Sequence, residues 1–171
     1  MKTGQTLNQI SGILNLIIGS VTIYEIFHLT ILQLNQLKKL YTQNGIEVEI
    51  NLPHILWAAR FQILLGALLF FSGIYLLLRK KTGWILGYSA WMLALFFLLD
   101  LILYFDKDVT TTKLANSHTI ISYFIAGIIF SLFMWIIFSL KPVRDFNQIN
   151  RKTWINTSLL ILAAFIILKL I

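Results

Sequence analysis

Four ionisable residues fall within the apolar stretches of this 171-residue chain: Glu25, Arg60, Asp100 and Lys169. A charged side chain at the centre of a bilayer costs about 3 kcal/mol or more unless it pairs or reaches water, so each is a candidate for function. All four lie toward the same, outer end of the runs that contain them. His28, His54 and His118 gather at that level too, with Tyr24, Tyr104 and Tyr123 nearby. Two acids and two bases at one depth can pair, with Arg60 satisfying Glu25 or Asp100. They can also form an outward-facing polar pocket, in which Arg60 holds an anion and one carboxylate takes up a proton because two acids share one cation.

Glu25-x-x-His28 places two metal-ligand types one helical turn apart, as in bundles that hold paired metals. No second copy of that motif exists. His54, His118 and Asp100 leave only a single nitrogen and oxygen site open, and no metal or other cofactor is expected. The sequence has no HExxH, no G-x-S-x-G, no glycine-rich phosphate loop and no Asp-rich diphosphate motif. The absence of cysteine excludes disulfides, thiolate metal sites and thiol nucleophiles.

The elements that must carry these residues are membrane helices. Hydrophobic residues make up 58% of the chain, charged residues 12%, and the mean hydropathy is +0.80. A soluble domain runs near 45–50% apolar and about 25% charged, so this composition excludes one. Five runs approach the roughly 20 residues that cross a bilayer as a helix: 10–32, 55–78, 84–105, 120–140 and 154–171. The expected fold is all-α, a polytopic bundle of five spans in one membrane domain, 1–171, with a short outer cap over 35–53. The first run is too long for a signal peptide and is expected to stay as an anchor.

The net charge of +7 resolves into topology. Arg79, Lys80 and Lys81 fill one turn, and Lys141, Arg144, Arg151 and Lys152 another. With Lys2 they place eight basic residues on one side, against Lys38, Lys39, Lys107 and Lys113 on the other. The excess of Lys and Arg marks the cytoplasmic side, so the chain is expected N-in and C-out. Basic residues confined to such turns argue against nucleic acid and suit anionic lipid headgroups. Trp84 and Trp154 at the inner ends, and Trp57 at an outer end, are expected as interfacial anchors.

Gly83, Gly87, Ala90 and Ala94 form one small-residue stripe on the third span, where helices can approach closely. Gly66 with Gly73, and Gly127 with Ser131, offer similar flat spots. Asn8, Ser11, Asn15, Gly19 and Thr22 form a polar face on the first span. That span is expected to continue outside as an amphipathic helix to Asn44-Gly45. Segment 46–52, Ile-Glu-Val-Glu-Ile-Asn-Leu, then alternates as a strand does and offers an edge to a protein partner. The abundance of Ile, Leu, Asn and Lys suggests an AT-rich genome and a bacterial inner membrane.

These features point first to a non-catalytic accessory or assembly subunit that acts through helix packing and its outer cap. A small oligomeric transporter or proton-linked channel centred on Glu25, Arg60 and Asp100 is the alternative. An intramembrane enzyme or metal protein using Glu25, His28, His54 and His118 is a third.

Overall fold

The computed structural model describes residues 2–43, 59–108 and 117–170, and among these the only regular elements are helices. They are α1 (Lys2–Gln43), α2 (Arg60–Leu77), α3 (Lys81–Asp108), α4 (Ser117–Ser139), α5 (Lys141–Phe146) and α6 (Arg151–Leu170). The chain's two prolines are Pro53 and Pro142. Pro142 sits in the first turn of α5, where its missing N–H is not needed. No proline therefore interrupts the long helices, and α1 runs unbroken for 42 residues, about 63 Å at 1.5 Å per residue. That is roughly twice the hydrocarbon thickness of a bilayer.

Among the described residues four helices are long and apolar enough to cross a membrane: α1 within Thr3–Leu40, α2, α3 within Lys81–Ile102, and α4 within Ser122–Ser139. Five spans were expected. The fifth, 154–171, corresponds to α6, which is not among the four and whose first two turns carry Arg151, Lys152, Asn156, Thr157 and Ser158. The expected strand-like segment 46–52 and Trp57 lie outside the described residues, while the first part of the expected cap, 35–43, is the end of α1. Between α4 and α6 the chain inserts α5, a six-residue helix that sequence periodicity does not reveal.

Helix α3 is the hub, packing against α2, α4 and α6, while α1 packs on α2 and α5. The α1–α2 contact is set by glycines seven residues apart on each antiparallel helix, Gly12 and Gly19 facing Gly73 and Gly66. A Cβ at Gly73 would lie 2.6 Å from the backbone nitrogen of Leu16 and 2.8 Å from the carbonyl oxygen of Gly12. One at Gly19 would meet the backbone of Phe70. Backbone thus touches backbone, the close approach by which membrane helices gain dispersion contacts without a hydrophobic driving force.

Both basic turns lie at one end of the bundle, called the basic end below. Each ends its preceding helix in the same way. Arg79 and Gln148 both take φ of 56°. Lys80 N–H reaches back to Tyr75 O (2.8 Å) and Arg79 N–H to Leu76 O (3.0 Å), while Ile149 N–H reaches Arg144 O (2.9 Å) and Gln148 N–H Asp145 O (3.1 Å). These paired bonds are Schellman motifs built on non-glycine residues. The buried core, from Leu69 and Leu76 through Trp84, Tyr88 and Trp91 to Met134, Phe138 and Val143, is concentrated in the same half of the bundle.

Candidate functional site

Among the described residues, the polar side chains that the fold buries whole are neutral, and they lie in the half of the bundle at the basic end. Asn8, Asn15 and Ser72 are fully buried, and Ser11, Ser131, Asn147 and Thr157 nearly so. The side chains of Asn8, Asn15 and Ser72 bond to other helices, while Thr157 Oγ1 donates to Thr153 O within α6. Trp91 Nε1 on α3 donates to Asn15 Oδ1 on α1, Asn15 Nδ2 donates to Ser72 Oγ on α2, and Ser72 Oγ donates to Gly83 O at the start of α3, each at 2.9 Å. This relay ties three helices and takes up a backbone carbonyl.

A second chain closes the basic end. Asn147, the residue that ends α5, donates from Nδ2 to Asn8 Oδ1 at 2.7 Å and to Val143 O at 2.9 Å. Asn8 Nδ2 in turn donates to Leu76 O at 3.0 Å, a second donor to the carbonyl that also accepts Arg79 N–H at the end of α2. Beside it, Trp84 Nε1 donates to Phe138 O at 2.9 Å in the last turn of α4. Side chains of α1 and α3 therefore satisfy the C-terminal carbonyls of α2 and α4, which water cannot easily reach in so packed an end.

The third group is a ring. Trp154 Nε1 donates to Tyr88 Oη (3.0 Å), Tyr88 shares a hydrogen bond with Ser158 Oγ (2.9 Å), and Ser158 Oγ donates to Trp154 O (3.1 Å). Because Ser158 spends its proton on Trp154 O, the Tyr88 hydroxyl is the donor between the two. Trp84 stacks on the Tyr88 ring, with centroids 4.8 Å apart and planes 12° apart. Trp84 and Trp154 each stand three residues after the first residue of their helices, and they converge on one tyrosine. Both were expected at the membrane interface. Trp84 is wholly buried and Trp154 half-buried, because each indole N–H finds its acceptor inside the bundle.

The ionisable residues are placed otherwise. Glu25 and His28 stand one turn apart on the exposed surface of α1, with the His28 ring stacked on Tyr24 at 5.3 Å. Arg60 opens α2, and Asp100 lies in the later part of α3. Both are half-buried, and each is engaged with a partner. His54 lies outside the described residues, as do the side chains of His118, in the first turn of α4, and Lys169. Among the described residues no three His, Cys, Asp or Glu side chains gather as a metal site would require.

The small-residue stripe faces inward. Gly83, Gly87, Ala90 and Ala94 are all buried. A Cβ at Gly83 would come within 2.6 Å of the carbonyl carbon of Tyr75, and one at Gly87 within 2.5 Å of Ser72 Oγ and 2.7 Å of the Phe138 ring. The stripe thus lets α3 approach both α2 and α4 within this chain.

Reading the sequence alone finds the polar face of α1 but not its partners. Ser72, Tyr88, Trp91, Asn147 and Ser158 are scattered across four elements with no shared motif. The available signals are Ser72 beside Gly73 in an otherwise apolar run, and Tyr88 in mid-span. No protein-family model, no curated protein and no solved structure matches the chain.

The buried arrangement holds amides, hydroxyls and indoles, and most of its side-chain bonds run from one helix to another. Such bonds hold membrane helices together.

Proposed function

We propose that this chain is a non-catalytic, multi-pass integral membrane protein, an accessory or assembly subunit that works by presenting helix faces from a rigid base. The observation that carries this is the neutral, mutually satisfied hydrogen-bond network at the basic end. A transport path along α1 would need exchangeable polar groups leading toward Glu25. Here Asn8 and Asn15 have both side-chain ends committed to neighbouring helices, and Glu25 faces outward. Along the other side of α1, Ile10, Ile13, Ile17, Val21, Tyr24, Phe27 and Ile31 form an exposed apolar stripe that suits lipid or a partner helix.

In this assignment α6 is the fifth span, the basic end is cytoplasmic by the excess of Lys and Arg, and the abundance of Ile, Leu, Asn and Lys suits a bacterial inner membrane. The native absence of cysteine makes the topology directly measurable. A single cysteine at Lys39 should react with a membrane-impermeant maleimide in intact cells. Cysteines at Lys80 or Arg151 should react only after permeabilisation, and the opposite pattern reverses the orientation. For the non-catalytic role, the protein reconstituted into vesicles should pass protons no faster than protein-free vesicles. A proton flux that Asp100→Asn abolishes would establish the channel instead.

A further inference from the structure

At the basic end, the guanidinium of Arg144 lies over the ring of Trp154, with Cζ 4.5 Å from the ring centroid. Its Nε is buried with no hydrogen-bond partner. A guanidinium resting over an indole face can still turn its remaining N–H donors to a phosphate. Arg151 stands one turn before Trp154 on α6, and Lys152 follows, both exposed. Asp145 is the one carboxylate in 141–152. It lines a separate cleft of about 600 Å³ between α5 and the start of α1, together with Thr3, Lys141 and Gln148. Neither Arg144 nor Arg151 lines that cleft.

From the same face of α6, Ile155, Leu159, Leu162 and Ile166 continue as an exposed apolar row, each at least 43% accessible. Their spacing of four, three and four residues keeps them on one stripe leading away from Arg151. A cationic head above an apolar track is complementary to an amphiphile, with its phosphate at the top and its acyl chain below.

We propose that this face of α5 and α6 is a site for one anionic phospholipid, its phosphodiester held by Arg144 and Arg151 and one acyl chain lying along Ile155, Leu159, Leu162 and Ile166. Selectivity for a net negative lipid follows from the three cations, Arg144, Arg151 and Lys152, and from the turning of Asp145 to the other cleft. The site rests on the reading that α6 lies in the bilayer.

The full chain, purified in a neutral detergent, is titrated with micelle-dissolved phosphatidylglycerol, with phosphatidylcholine and with inorganic phosphate while thermal unfolding is followed. At about four times its Kd, phosphatidylglycerol should raise Tm by about 2–4 °C, and the other two should not. Arg151→Gln changes an exposed residue and should fold normally while losing most of that rise. Arg144→Gln should lose it as well, and Arg79→Gln, in the other basic turn, should keep it. An equal rise with phosphatidylcholine, a full rise with phosphate alone, or an equal loss in Arg79→Gln would overturn the site. The membrane assignment fails separately, if alkaline carbonate releases the chain from membranes.

Discussion

The indole N–H of Trp91 donates to Asn15 Oδ1 at 2.9 Å, joining α3 to α1 across 76 positions of sequence. Asn15 passes the connection to Ser72, so one amide serves both neighbours. Asn15→Ala leaves the buried Trp91 N–H without an acceptor and Ser72 without a donor. Interhelical hydrogen bonds in membranes average about 0.6 kcal/mol and reach about 1.7, but an orphaned buried donor costs about 1–3 kcal/mol, so the loss should total about 2–3 kcal/mol. Unfolding in mixed micelles measures it. In a double-mutant cycle with Trp91→Phe the two changes should fall short of additivity by at least about 0.5 kcal/mol, and strict additivity would show that the pair is not coupled.

Glycine positions should separate by what their Cβ would strike. At Gly73 the obstacles are the backbone of Leu16 and Gly12, which can yield only by moving α1 off α2. Gly73→Ala should destabilise by about 1–3 kcal/mol. At Gly127 the nearest atom is Cδ1 of Leu98 at 3.2 Å, a side chain that can rotate. The gain in helix propensity from glycine to alanine is about 1 kcal/mol, so Gly127→Ala should be neutral or mildly stabilising. Thermal midpoints of the two variants in one detergent provide the comparison.

Arg79 and Gln148 occupy the left-handed region, where a Cβ costs about 1–2 kcal/mol. Part of what glycine regains there is offset by the greater freedom of the unfolded chain. Arg79→Gly and Gln148→Gly should each therefore stabilise by about 0.5–1 kcal/mol, whereas Arg79→Val should destabilise because a β-branched residue tolerates that conformation least. A lower midpoint for both glycine variants would mean that the side chains contribute more than their backbone strain.

The ring through Tyr88 predicts an order of effects. Tyr88→Phe removes the acceptor of Trp154 Nε1 and the donor to Ser158 together. Ser158→Ala removes the bond with Tyr88 and a local back-bond to Trp154 O, the second costing little because that carbonyl keeps its helical partner, and leaves the Trp154 to Tyr88 bond in place. With about 1 kcal/mol for each lost bond, Tyr88→Phe should cost about 1–2 kcal/mol and Ser158→Ala about half as much. Tryptophan emission of the Tyr88 variant should shift as well, since Trp84 stacks on that ring.

Glu25 and His28 lie on the exposed face of α1. Substitutions there, away from packing, commonly stay within about 0.5 kcal/mol. Glu25→Gln should thus leave the unfolding midpoint nearly unchanged, in contrast to Asn8→Leu, which breaks the bonds to Leu76 and Asn147. A large loss in Glu25→Gln would reveal a structural partner for this carboxylate.

How much of this was legible in the chain differs by element. The helical character and the approximate positions of four candidate spans follow from apolar runs, because hydropathy and helix length are local properties of consecutive residues. The polar face of α1 was legible for the same reason, since Asn8, Ser11, Asn15, Gly19 and Thr22 repeat at helical spacing. Helix α5 was not, because six residues are too few to display a period.

Composition and spacing therefore determined that the chain is a helical bundle with apolar spans, and which faces of α1 and α3 are polar or small. Only the tertiary structure decided which of those polar groups meet. Hydrogen-bond partners such as Asn8 and Asn147, 139 positions apart, are chosen by how helices pack. Sequence periodicity orients a side chain about its own helix axis, but nothing in it fixes the neighbour on the facing helix. For that reason spacing alone points to the charges at the end away from the basic turns, whereas packing places the buried polar network of the described residues at the basic end.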